Sequence, residues 1–163
     1  MITAMLLVFS ACQREARQLA GDYSYKLSGD VVIMGANGSE SHHFVHRVGQ
    51  MNVLRDKSSK TGFVVTMNEM NGGCYVFPAE LSGDTLVLPP HTFTTTFLTA
   101  DSLDIGIFNP DDTPSMVYAV NASGSGRIND KVLILKESWG GQQVGDPTIT
   151  FRAPEMTILA EKN

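Results

Sequence analysis

Three histidines in the run Ser41-His42-His43-Phe44-Val45-His46-Arg47 are the residues most suggestive of chemistry, because imidazole is a frequent metal ligand. Their spacing argues against a shared ion. On a strand, His42 and His46 occupy one face but stand about 13 Å apart at the usual rise per residue. The preceding Gly35-Ala36-Asn37-Gly38-Ser39 has loop composition and the residues that follow alternate, so a strand fits better than a helix. Solvated side chains at a strand edge are the expectation. Asp101, Asp104, Asp111 and Asp112 gather around Asn109-Pro110, yet they lack the ligand alternation and central glycine of an EF-hand loop. They are expected to form a turn with hydrated carboxylates. Glu69, Glu80 and Glu137 could supply an acid and a base, but nothing in the sequence sets their separation. Gly124-Ser125-Gly126 looks like part of a nucleophile elbow, but Ser125 falls on a strand running into a hairpin, without the required turn into a helix. There is no phosphate-binding loop and no Cys-x-x-Cys motif. An enzyme therefore ranks last, and no cofactor or metal is expected.

Glu137 is the most informative of these residues because of the segment that carries it. Asn121 to Trp139 reads as two alternating runs about a turn at Asn129-Asp130. A two-residue turn would pair Ile128 with Lys131, Gly126 with Leu133, Gly124 with Leu135, Ala122 with Glu137 and Val120 with Trp139. One face is then small or apolar almost throughout, and the other carries Asn121, Ser123, Ser125 and Arg127. Glycines opposite leucines suggest a tightly curved sheet. A three-residue loop would shift the register by one and reverse one strand's facing. In the favoured register Glu137 points inward between Leu135 and Trp139, where a carboxylate is costly unless paired, hydrated or at a rim. At a rim it would orient a ligand; a bulge at Ser138 to Gly141 would instead turn it to solvent.

The elements that must position Glu137 are strands. Tyr23, Tyr25 and Leu27 alternate with polar residues, and Phe44–Leu54, Gly62–Met70, Cys74–Leu81, Met116–Ile128, Thr148–Arg152 and Met156–Glu161 are further candidates. A hairpin idiom recurs: Leu27-Ser28-Gly29-Asp30 before Val31, Leu81-Ser82-Gly83-Asp84 before Thr85, Leu98 to Asp101 before Ser102, and Asn129-Asp130 before Lys131. Pro89-Pro90 and Asn109-Pro110 read as punctuation. Nine or ten short strands joined by tight turns predict an all-β antiparallel meander closing into a barrel of about 8–10 strands, with a β-sandwich as the alternative. Closure is favoured because it removes exposed strand edges.

At 163 residues the chain suits one domain. A net charge of -5 without a basic cluster argues against nucleic-acid binding. Of the two cysteines, Cys74 in Gly-Gly-Cys-Tyr-Val-Phe is expected to be a small buried hydrophobe.

Met5 to Phe9 is apolar, Ser10-Ala11-Cys12 follows, and the chain then turns polar. This resembles a bacterial lipoprotein signal, although no Lys or Arg precedes the apolar run. The resemblance implies a signal over residues 1–11, a lipidated Cys12 with a tether to residue 20, and one domain over 21–163. With Gln13 rather than aspartate after the cysteine, it also implies an outer-membrane destination. The membrane would be met only through that lipid. The tether, the Gly21-Asp22-Tyr23 opening of the first strand and the hairpins that follow together look like the lipocalin-like, or calycin-like, β-barrel lipoproteins of bacteria. Tyr23 would stand where that family's motif has Trp, and Arg152 is the candidate for its arginine. The resemblance implies a small-molecule or peptide binder with no chemistry of its own.

The resulting expectation is an anchored barrel binding a small apolar or amphipathic molecule, with Tyr23, Tyr25, Phe63, Tyr75, Glu137 and Trp139 as candidate lining. The alternative is a barrel filled by its own side chains whose loops bind a protein or a glycan. Abundant methionine, including Met34, Met51, Met67, Met70 and Met116, suits either a pliable pocket or a filled core.

Overall fold

The computed structural model describes residues 18–70, 72–97 and 116–163. Cys12, the signal-like segment and the aspartates 101, 104, 111 and 112 lie outside them. The described chain forms eight strands: β1 (Gly21–Met34), β2 (Glu40–Arg55), β3 (Gly62–Glu69), β4 (Cys74–Ser82), β5 (Thr85–Phe97), β6 (Met116–Asn129), β7 (Val132–Gln143) and β8 (Asp146–Lys162). Each pairs antiparallel with the next, and β8 returns to β1, so the meander is a closed barrel. Alternation places one face of each strand inside. In β7, for example, Leu133, Leu135, Glu137 and Trp139 are buried while Ile134, Lys136 and Ser138 are exposed.

The strands are fewer and longer than expected because segments read as breaks lie inside continuous strands. Gly29-Asp30 is not a turn: β1 runs through it. Between Ala153 and Met156, β8 carries one residue more than either neighbour, so its registers with β1 and β7 both slip there. Pro154, which has no N–H to donate, falls in this bulge. Gly29 lies against it, where a Cβ would meet the Glu155 carbonyl oxygen at 2.7 Å, so the glycine answers a close approach rather than a turn. The bulge also merges the two separate C-terminal strands expected from sequence into β8. Pro89-Pro90 is likewise a bulge inside β5, between the pairs Leu88 with Gly124 and His91 with Ala122.

Two hairpins fall where expected. Gly83, with φ of 63°, turns β4 into β5. Asp130, with φ of 56°, turns β6 into β7, but Asn129 pairs with Val132, so the two-residue loop is Asp130-Lys131. Every expected pairing in this hairpin is therefore displaced by two: Gly126 meets Leu135, Gly124 meets Glu137 and Ala122 meets Trp139. An even displacement preserves facing, so the inward and outward assignments hold although the partners change.

The upper end of the barrel carries the β1–β2, β3–β4, β5–β6 and β7–β8 connections. The lower end is covered by the residues preceding β1. Leu19 is buried there, Tyr23 Oη donates to its carbonyl at 2.7 Å, and Lys162 Nζ donates to the carbonyl of Ala20 at 2.6 Å.

Closure is uneven. The β4–β5 pairing covers only Glu80, Leu81 and Ser82 against Val87, Leu86 and Thr85, whereas β1–β2 pairing runs from Gly21 to Met34. Above Glu80 and Val87, among the described residues, no backbone pairing joins the two strands. They stay side by side through the ring contacts of Phe77 with His91 and of Tyr75 with Phe93, which leaves a split in the ladder rather than in the wall. Proline at 78, 89 and 90 removes backbone donors along that split.

Candidate functional site

Two polar clusters lie inside the upper half of the barrel, beside the split. The first is built on Arg47, an inward residue of β2 between Val45 and Gly49. Its guanidinium reaches past β3 and β4. Nη1 donates to Glu69 Oε1 at 2.8 Å, Tyr75 Oη at 3.0 Å and Thr95 Oγ1 at 2.6 Å, while Nη2 donates to the Thr96 carbonyl. Tyr75 Oη also donates to Glu69 Oε1 at 2.8 Å. Side chains thus join β2, β3, β4 and β5 where the β4–β5 backbone ladder is missing. Burial pushes the Tyr75 phenol up to about 12. Tyr25 lies under the cluster because Gly49, its partner on β2, leaves room for the ring: a Cβ there would stand 2.9 Å from Tyr25 Oη. Burial, and then the nearby Glu69 charge, raise the Tyr25 pKa, and its Oη has no hydrogen-bond partner among the described residues.

The second cluster is Glu137, His91 and Trp139. His91, Ala122 and Trp139 are paired in a row across β5, β6 and β7, and the small Ala122 lets the two rings lean over it. Glu137 sits in the next row against Gly124, where a Cβ would stand 2.9 Å from Glu137 Cγ. Glu137 Oε2 accepts from Trp139 Nε1 at 2.7 Å. His91 Nδ1 lies 2.9 Å from the Pro89 carbonyl, which can only accept, so that nitrogen carries a proton. His91 Nε2 and Glu137 Oε1 face each other at 3.8 Å, and neither has a hydrogen-bond partner among the described residues. Their side chains are 5% and 2% exposed, well removed from solvent. Burial raises the Glu137 pKa, opposed by the Trp139 hydrogen bond and then by the attraction that His91 exerts when protonated.

Phe93 joins the clusters. Its ring meets Tyr75 edge-on at 4.8 Å and Trp139 edge-on at 5.2 Å, while Phe77 stacks on His91 at 4.4 Å. Phe93 faces inward but is only half-buried. A cavity of about 330 Å³ opens at the top of the split, lined by Glu69, Gly72, Gly73, Tyr75, Thr94, Thr95, Thr96 and Val117.

Of the six candidate lining residues, the fold gathers Tyr25, Tyr75, Glu137 and Trp139 around this region. Tyr23 and Phe63 belong to the lower end, Tyr23 in the cap and Phe63 beside Ala79 and Arg55. Glu137 is inward but in the mid-barrel rather than at a rim, and the nearby bulge lies on β8, so it does not turn Glu137 out. Cys74 is exposed as the first residue of β4, contrary to the buried position expected. Arg152 is exposed too, 3.6 Å from Glu40; Arg47 is the arginine that faces the interior. His42 and His46 lie on the exposed face of β2, and Glu80 is exposed on β4. Met51 and Met67 fill the core, whereas Met70 is on the surface.

Sequence reasoning missed Arg47, His91 and Thr95. The signal existed: Arg47 keeps the alternation of Val45, Gly49 and Met51, and His91 that of Phe93, Thr95 and Phe97. Treating Pro89-Pro90 as the end of a strand hid the second pattern.

The fold defines a closed, eight-stranded antiparallel meander barrel, consistent with the lipocalin-like layout. Compared with protein-family models and with curated proteins, the sequence matches none.

Proposed function

We propose that this protein is a carrier for a small amphipathic molecule, admitted through the β4–β5 split and held between the Arg47 cluster and the Glu137–His91 pair, with no catalysis. One observation carries this reading: the ladder between β4 and β5 stops after three residue pairs, directly beside a cavity and a half-buried inward phenylalanine. The cavity's size lies at the lower end of the range for small-molecule sites. Its wall combines an aromatic ring, threonine hydroxyls and a carboxylate, a mixture suited to a molecule with polar and apolar parts. Buried polar atoms without partners are uncommon in folded proteins, and Tyr25 Oη, His91 Nε2 and Glu137 Oε1 all lie near the route inward. The reading also includes a place at the cell envelope, with the protein anchored in the outer membrane through a lipid on Cys12. That part rests on the resemblance of residues 1–12 to a lipoprotein signal.

Native mass spectrometry of the full chain purified from its own host, before and after denaturing extraction, tests the carrier reading. A co-purifying small molecule is the expected result. An empty protein that also fails to bind hydrophobic fluorescent probes would overturn it. Mass spectrometry of the membrane fraction tests the anchor: an unmodified, uncleaved N-terminus would end that claim.

A second reading has its own support. The interior is densely occupied, with Tyr25, Leu88, Val120 and Leu135 each at most 2% exposed. A barrel so filled would act through its loops, on a protein or a glycan. Mixing with a candidate partner would then shift loop resonances and leave those of Trp139 unmoved.

A further inference from the structure

We infer that the Glu137–His91 pair is a recognition subsite for an ammonium group, so that the molecule carried is an amine with an apolar body. The inference deepens the carrier reading and rests on it. The two facing atoms, Glu137 Oε1 and His91 Nε2, are buried and without partners among the described residues. The proton on the opposite ring nitrogen is held by the Pro89 carbonyl, so in the neutral imidazole, the form this inference assigns to His91, Nε2 is an acceptor. A carboxylate oxygen is also an acceptor. Two acceptors 3.8 Å apart cannot bond to each other, but a nitrogen lying off the line between them reaches both at about 2.8 Å. An ammonium has three N–H donors: two satisfy Oε1 and Nε2, and its charge offsets the carboxylate. A hydroxyl has one donor and can satisfy only one of the two atoms, while a ligand carboxylate would add a second negative charge beside Glu137.

The surroundings agree. Trp139 and Phe93 line the neighbouring space, and aromatic faces favour a cation as well as an alkyl chain. Trp139 Nε1 occupies Oε2, which keeps the carboxylate in place and turns its free oxygen toward His91. Phe77, stacked on His91, brings no charge.

Calorimetric titration of the full chain with octylamine, 1-octanol and octanoate at neutral pH tests this, alongside a hydrophobic fluorescent probe. Octylammonium should bind at least about tenfold more tightly than either comparator, as expected for hydrogen bonds to a charged group. Glu137→Gln, nearly isosteric, removes the negative charge and should abolish the preference for the amine over the alcohol. His91→Gln serves as the second variant if Glu137→Gln fails to fold. Equal binding of all three probes, insensitive to both variants, would overturn the subsite and leave the carrier reading standing. Absence of binding by all three and by the fluorescent probe would overturn both. The 15N shift of His91 Nε2 gives an independent readout: an acceptor-type nitrogen in the octylamine complex is expected, and a protonated one would overturn the assignment.

Discussion

Glu137 and Gly49 act at the scale of single residues, one through charge and the other through the lack of a side chain. Burial holds the Glu137 carboxyl above its ordinary value of 4.5, outweighing Trp139 and His91, which lower it. A carboxyl raised in this way binds its proton more tightly when folded than when unfolded. Its penalty is therefore absent below about pH 4.5 and grows as pH rises through the folded value. Glu137→Gln stays neutral and escapes that penalty. The unfolding free energy of the variant relative to the parent should thus increase from acid to neutral pH in urea titrations; a difference independent of pH would contradict the assignment. Gly49→Ala tests packing alone. The added Cβ would collide with the Asn68 carbonyl oxygen and the Tyr25 ring, and overpacking of this kind costs about 1–3 kcal/mol. Urea denaturation should report a loss in that range, with the Tyr25 resonances displaced.

Among the elements, β5 has the most unusual support. Its lower part pairs on both sides, whereas above Val87 it pairs with β6 and meets the β3–β4 side of the barrel through side chains. Arg47 is the principal link, and its guanidinium and the Glu69 carboxylate are 11% and 4% exposed. Arg47→Met keeps much of the stem but leaves Glu69 buried without its countercharge. Breaking a buried pair by removing one partner costs about 3–5 kcal/mol. A loss of that size is expected on denaturation, and Arg47→Met with Glu69→Gln should recover part of it. Amide exchange should quicken in β5 from Thr92 to Phe97 ahead of β7 and β8. Uniform acceleration would mean that Arg47 supports the whole barrel rather than the split.

Across the whole molecule, stability depends on β8 closing the ring. It pairs with both β7 and β1, and Phe151, Ala153, Met156, Ile158 and Ala160 are all buried. Removing residues 146–163 would expose the ladder edges of β1 and β7 and open the core. The truncated chain should lose its cooperative thermal transition by far-UV circular dichroism and aggregate, as unprotected strand edges do. Retention of a sharp transition would show that seven strands suffice.

Residue order alone was enough for the all-β class and the meander, and it marked Tyr25, Tyr75 and Trp139 as candidates for the interior, whereas the facing of Glu137 stayed open between an inward register and a bulge that would turn it out. Period-two alternation is a local property, and even a displacement of two residues in the β6–β7 hairpin leaves it intact. Tertiary structure decided which side chains meet. Gly29-Asp30 and Pro89-Pro90 look like turns in one dimension, and only neighbouring strands show that the first lies inside a continuous strand and the second is a bulge. The partners of Glu137 were hidden for the same reason: His91 lies on β5, brought alongside by β6, and its alternation was broken at the proline pair. Arg47 and Thr95 are 48 positions apart in the chain, and no local pattern links them. The β4–β5 split is a break in backbone pairing between strands that remain neighbours, so it exists only once the barrel has closed around it.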